Sequence, residues 1–101
     1  MIVHHVFFWL KQGGSTADRA QLIEGIRSLG AIETVRQLYV GTPAATDPRP
    51  VIDASYDVSE LLFFDDLEGQ AIYQDHPLHH QFIQEYGHLW EQVRVYDVEQ
   101  V

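Results

Sequence analysis

Residues Met1 to Leu10, MIVHHVFFWL, are apolar on both alternating faces. Ile2, Val6, Phe8 and Leu10 fall on one side, and Val3, Phe7 and Trp9 on the other. A strand with one solvated face alternates apolar with polar, whereas a strand covered on both sides reads as a near-continuous apolar run. This strand therefore needs its own helices on one face and further cover on the other. The chain has 101 residues, which is room for a single domain over 1–101, since domains commonly run about 50–250 residues. The second cover must then come from outside the domain, and a second copy of the chain is the simplest source.

The remaining segments complete one α+β unit. Gly13-Gly14 breaks the strand, and Ser15 with Asp18 three residues later is a helix-start signature, hydroxyl and carboxylate each taking a free N–H. Leu22, Ile23, Ile26 and Leu29 recur at helical spacing, so a helix is expected over about 16–29, with Gly30 as its stop. Thr34 to Gly41 suits a strand by its β-branched and aromatic content. Thr42 to Pro50 holds three of the four prolines and is a loop. Ala54 to Phe64 reads as the next strand, with Tyr56, Val58, Leu62 and Phe64 on one side. Asp65-Asp66 opens a short helix to about Tyr73, and His76-Pro77 opens another to about Trp90. Val93 to Val98 closes the sheet. The order is β-α-β-β-α-β, which predicts a ferredoxin-like sandwich with both helical segments on one face.

Charge and composition exclude several functions. Six Lys and Arg against 15 Asp and Glu give a net charge of −9, which argues against nucleic acid and against an anionic membrane surface. The absence of cysteine removes disulfides, thiolate metal sites and Cys nucleophiles. The apolar start is too short to span a bilayer, follows no basic region and precedes no small-residue cleavage site, so a cytoplasmic protein is expected. Ser15 reads as a cap, Ser55 and Ser59 lack a nucleophile-elbow context, and Gly13-Gly14 lacks phosphate-loop spacing.

Six histidines are the chemically distinctive feature. On a helical wheel over 78–90, Phe82, Ile83, Tyr86, Leu89 and Trp90 form an apolar face. His79 falls near the middle of that face, His80 toward its edge, and His88 on the solvent side. A ring directed into a core needs a partner or a cavity. His4 and His5 point to opposite faces of the first strand, so one of them can meet His79 across the interior. Tyr73 can present its hydroxyl to the same space. A pocket lined by His4, Tyr73 and His79 within a wall that includes Phe82 and Tyr86 would suit proton transfer near neutral pH. The same groups could instead be core-edge polar side chains bonded to backbone. His76 reads as a helix-start residue. No metal is expected: His79 and His80 diverge by roughly 100° on a helix, and no His-Glu-x-x-His motif is present.

The opening Met1-Ile2-Val3-His4 with Phe8 and Leu10-Lys11, the element Tyr73-x-x-His76-Pro77-x-His79-x-x-Phe82, and the acidic closing strand Val95-Tyr96-Asp97 resemble the stress-responsive A/B barrel (Dabb) domain. That resemblance covers nearly the whole chain. It implies a dimeric α/β barrel, a homodimer in which two ferredoxin-like sheets pack face to face and cover the second side of the first strand. One plant branch of the family closes a linear polyketide by aldol chemistry without a cofactor, and its acting Tyr and His match Tyr73 and His79, its strand-one His matching His4. Its third-strand His is replaced here by Val58, so the pocket differs. Related dimeric barrels include cofactor-independent monooxygenases. The expectation is a site for a small, partly apolar carbonyl or aromatic compound, with His79 as general base, Tyr73 at a carbonyl oxygen and His4 orienting, and with no cofactor. The alternatives are a non-catalytic stress-associated dimer and a cofactor-independent cyclase or monooxygenase.

Overall fold

The computed structural model describes residues 1–12 and 14–101, so Gly13 of the expected strand break lies outside the described residues. Four strands form one antiparallel sheet in the order β2-β3-β1-β4: β1 (Ile2–Leu10), β2 (Gln37–Gly41), β3 (Val58–Phe64) and β4 (Trp90–Glu99). Helices α1 (Thr16–Ser28), α2 (Leu67–Asp75) and α3 (Pro77–Tyr86) complete the ferredoxin-like α+β arrangement. β1 is a central strand, with Val6 opposite Glu60 of β3 and Val95 of β4.

The alternation in β1 sets the core. Ile2, His4, Val6, Phe8 and Leu10 are buried, and they join Val58, Leu62 and Phe64 of β3 with Leu22 and Ile26 of α1. Val3, His5, Phe7 and Trp9 are half-buried on the outer face, beside Leu61 and Phe63. That face also carries Tyr39, Tyr96 and Val98, all more than half exposed. It is the open apolar face that the sequence of β1 requires something to cover.

Local signals fix the helix starts. Ser15 Oγ accepts from Asp18 N while the Asp18 carboxylate accepts from Ser15 N, a reciprocal cap on α1. Asp66 caps α2 through Gly69 N, and the ring of His76 caps α3 by accepting from Leu78 N ahead of Pro77.

The boundaries move at three places. β2 begins at Gln37 rather than Thr34, because Ile32 is drawn into the core and Val35 N bonds back to Ile32 O in a turn. β3 begins at Val58 rather than Ala54. Just before it, the Asp57 carboxylate takes the N–H of Leu10 and an Arg19 guanidinium N–H, and Ser55 accepts from the Trp9 indole. Tyr56 therefore sits not with Val58 but on the outer face, edge-on to Phe7 at 4.8 Å. α3 ends at Tyr86, a short 3-10 turn follows, and Trp90 begins β4 opposite Leu10. Its ring still stacks on Phe82, with centroids 5.6 Å apart.

Helices α1 and α3 meet where Gly25 faces Tyr86. A Cβ at position 25 would lie 2.8 Å from three atoms of that ring, and the ring is stacked on Phe82. Gly25→Ala should therefore destabilise the fold by about 1–3 kcal/mol, overpacking outweighing the roughly 1 kcal/mol gained in helix propensity. Urea unfolding measures this; a stabilised variant would show that the two helices part freely.

Candidate functional site

A cavity of about 360 Å³ lies between the sheet and helices α2 and α3. Its apolar wall includes Val6, Phe8, Phe82, Trp90, Val93 and Val95, and its polar groups are His4, Glu60, Tyr73, Gln74 and His79. Each element supplies its part for a local reason. His4 is inward by the parity of β1, Glu60 by the parity of β3, and Tyr73 and His79 project from consecutive helices that reverse at His76-Pro77. Val93 and Val95 belong to β4, whose inward residues carry little helical cover.

The polar groups are held in a chain. The Tyr73 hydroxyl donates to Glu60 Oε1 at 2.9 Å, and both residues are buried. The second carboxyl oxygen of Glu60 has no hydrogen-bond partner among the described residues, although the side chain lines the cavity. The rings of His4 and His79 flank Tyr73, with centroids 5.8 and 4.7 Å away, both edge-on. His4 Nδ1 lies 2.6 Å from Asp97 Oδ1. A carboxylate only accepts, so Nδ1 carries the proton of this bond. The Gln70 amide, 3.2 Å from the same nitrogen, shares that proton when its oxygen is turned inward. His79 is half-buried, and its Nδ1 is buried without a partner.

These environments move the proton affinities. Burial pushes the Glu60 carboxyl up to about 7, against the opposing hydrogen bond from Tyr73. Burial also raises the Tyr73 phenol, reinforced by the charge of Glu60 and by the hydrogen bond to it. His79 is lowered, first by burial and then by His80 and His4, and so is held neutral near pH 7. The site thus combines neutral imidazole with a carboxyl that titrates near neutrality, the property a general acid–base group needs.

The structure brings His4, Tyr73, His79 and Phe82 to one cavity, and it is His4 rather than His5 that faces inward. It does not bring Val58 or Tyr86 there. Val58 is fully buried beneath the core, two residues along β3 from the wall, and Tyr86 turns to cover Gly25. Sequence reasoning missed Glu60. Its signal was present: Glu60 is the one charged residue on the inward face of β3, between Val58 and Leu62. His76 caps a helix, and His80 and His88 are exposed. Among the described residues, no three His, Asp or Glu side chains converge as a metal site, and no helix is long and apolar enough to cross a membrane.

The raised Glu60 carboxyl makes a stability prediction. Below pH 4.5 it is protonated in folded and unfolded chains, and its contribution is complete. Between 4.5 and about 7 the unfolded chain ionises first, so the contribution falls as pH rises. The lowered His79 and His5 act in the opposite sense, losing stability as pH falls below the ordinary histidine range. Both histidines remain in Glu60→Gln, so their effects cancel in the comparison. Unfolding at pH 4.5 and pH 8.5 should show the variant gaining on the parent by an amount on the order of 3 kcal/mol across that range. A difference independent of pH would mean that Glu60 ionises normally.

Comparison with known proteins gives the relationship. The family model described as the stress responsive A/B barrel domain matches residues 2–100, while no curated protein sequence matches. Among solved structures, an Arabidopsis thaliana protein superposes with a TM-score of 0.83 at 22% identity, covering 100% of this chain and 96% of its own. A dimeric ferredoxin-like protein of unknown function from Thermobifida fusca gives 0.79 at 19%, covering 98% and 90%. The hydroxynitrile lyase of Passiflora edulis gives 0.76 at 19%, covering 96% and 90%. These identities establish a shared fold, and the family match over nearly the full length establishes descent: the chain belongs to the stress-responsive A/B barrel (Dabb) domain family.

Proposed function

We propose that the protein is a homodimer that binds a small, partly apolar carbonyl or aromatic compound and acts on it by cofactor-independent acid–base chemistry. The observation that carries this reading is the cavity: about 360 Å³ in which two imidazoles, a phenol and a carboxyl meet inside an apolar wall. A non-catalytic dimer whose polar groups merely complete a core calls for a filled interior, and the cavity supports the first reading over that one. The occurrence of a hydroxynitrile lyase on the same fold supports the view that the scaffold accommodates lyase chemistry.

The roles follow from the hydrogen bonds. His79, which lines the cavity and is kept neutral by burial, is the general base. Tyr73 addresses a ligand oxygen, and the carboxyl of Glu60 behind it can refill the phenol when its proton is given up. His4, its Nδ1–H held by Asp97, offers Nε2 to orient the ligand. Phe8, Phe82 and Trp90 supply the flat apolar wall. Dimerisation rests on the outer sheet face, where Tyr39, Tyr96 and Val98 are more than half exposed around Phe7 and Trp9. The dimeric Thermobifida fusca protein of this fold supports the same assembly.

Two measurements test the proposal. His79→Ala should leave the protein folded with little loss of stability, because no partner is orphaned when the ring is removed, and it should abolish ligand-induced thermal stabilisation. His88→Ala, on the exposed 3-10 turn, is the control and should do neither. A strongly destabilised His79→Ala protein that still bound every ligand of the parent would remove this residue from the site. Sedimentation at low micromolar concentration should give a dimer for the parent and a monomer for Leu61→Glu, which places a charge in the outer face. A stable monomeric parent would overturn the assembly.

A further inference from the structure

The polar groups of the cavity include a buried carboxyl and no basic side chain of Lys or Arg. With no ligand bound, the Tyr73 hydroxyl donates to Glu60 Oε1 at 2.9 Å, and His4 Nδ1 donates to Asp97 at 2.6 Å. The remaining donors of the lining are uncharged, the Gln74 amide, the Trp90 indole and at most one N–H of His79, and the free oxygen of Glu60 is an acceptor with no partner of its own. Glu60 itself is only 2% exposed, and it lines the cavity, so a ligand there can supply the hydrogen bond that its free oxygen does not receive from the protein.

We propose that the cavity selects a neutral aromatic ligand bearing a hydroxyl group, a phenol in class, whose O–H donates to the free oxygen of Glu60 while its ring lies against Phe8, Phe82 and Trp90, and that it excludes carboxylates. This rests on the reading of the cavity as a ligand site and specifies its occupant. An aromatic ring fits the wall because Phe82 and Trp90 already stack, at 5.6 Å and 27°, and Phe8 closes on Trp90 at 5.0 Å. A ligand carboxylate would meet Glu60 with no cation to offset it, and Asp97 behind His4 adds a second negative group. Of the groups around Glu60, His4 and Tyr73 already donate to Asp97 and to Glu60, His79 has at most one N–H to give, and His80 is exposed beside His79, its ring 6.3 Å away. Selectivity of this kind is asymmetric: a buried acceptor rejects an analogue that lacks the donor far more strongly than an apolar wall rejects a change of shape.

Three matched ligands separate the possibilities: p-cresol, 4-methylanisole, which lacks the donor, and 4-methylbenzoate, which carries the anion. Calorimetric titration of the dimer at pH 8.5, where Glu60 is ionised, should give p-cresol at least tenfold tighter binding than 4-methylanisole and no binding of the benzoate. In Glu60→Gln, whose side-chain oxygen can still accept from Tyr73, the preference for p-cresol over 4-methylanisole should fall to within about threefold, the conservative range for loss of one charged acceptor. Equal binding of p-cresol and 4-methylanisole by the parent, binding of the benzoate, or an unchanged preference in Glu60→Gln would each overturn the assignment while leaving a ligand cavity in place. Binding of none of the three would overturn both the assignment and the reading of the cavity on which it rests.

Discussion

β1 lies in the middle of the sheet, and both of its faces are spoken for. Its inward residues form the centre of the core, and its outward residues form the centre of the open face. A one-residue slip would exchange these sets, putting His5, Phe7 and Trp9 under the helices and His4 outside. The register with β3 and β4 therefore positions the site as well as the core. Val6 opposite Glu60 and His4 opposite Asp97 are consequences of that register, and the hydrogen bond between His4 and Asp97 does not survive a shift. The Asp57 clip on Leu10 N and the Trp9–Ser55 bond pin one end of the strand. Gln100 N on Met1 O pins the other.

A carboxyl in this core is a standing cost. An ionised Glu60 surrounded by Val6, Val58 and Leu62 loses solvation that one phenol hydrogen bond does not restore, and the displaced proton affinity is the measure of the deficit. An apolar residue at this position of β3 would pack with the same neighbours without that deficit. Groups kept against such a gradient belong with function more often than with stability, and here the carboxyl coincides with a cavity and with two imidazoles. The unpartnered Nδ1 of His79 points the same way. A core histidine with a structural role would have found a carbonyl.

Much of this was legible in the chain before folding. The double-faced apolar run of β1 gave the open sheet, the Ser15–Asp18 pair gave the start of α1, and His76-Pro77 gave the break between α2 and α3. The wheel over 78–90 put His79 inward and His88 outward, as observed. What periodicity did not carry were events decided by side-chain hydrogen bonds and by distant packing. Asp57 takes a backbone donor that a longer β3 would have used, and Tyr56 then crosses to Phe7. Tyr86 has the spacing of a pocket residue but is drawn to the bare surface of Gly25 on another helix. Glu60 is the instructive omission. Acidic residues at strand positions are ordinarily assigned to solvent, yet its parity with Val58, Leu62 and Phe64 left it no route outward.

The two faces of β1 also divide the protein's chemistry. On the outer face, His5 sits tilted on Phe7 at 4.2 Å, and its proton affinity is lowered by burial and by His4. A neutral His5 suits an apolar interface, whereas a protonated one would carry charge into it. On the inner face, four residues of parity 2 to 8 place one imidazole among three hydrocarbons, so the site's polar cluster is confined to the end of the cavity where β1 and β3 meet α2. The opposite end, under Phe82, Trp90 and Val93, is mainly apolar. A ligand bound as proposed would lay its apolar end against that wall and its oxygen toward Tyr73, Glu60 and the imidazoles. The sheet register that folds the chain thus also sets where the polar and apolar walls of the cavity lie.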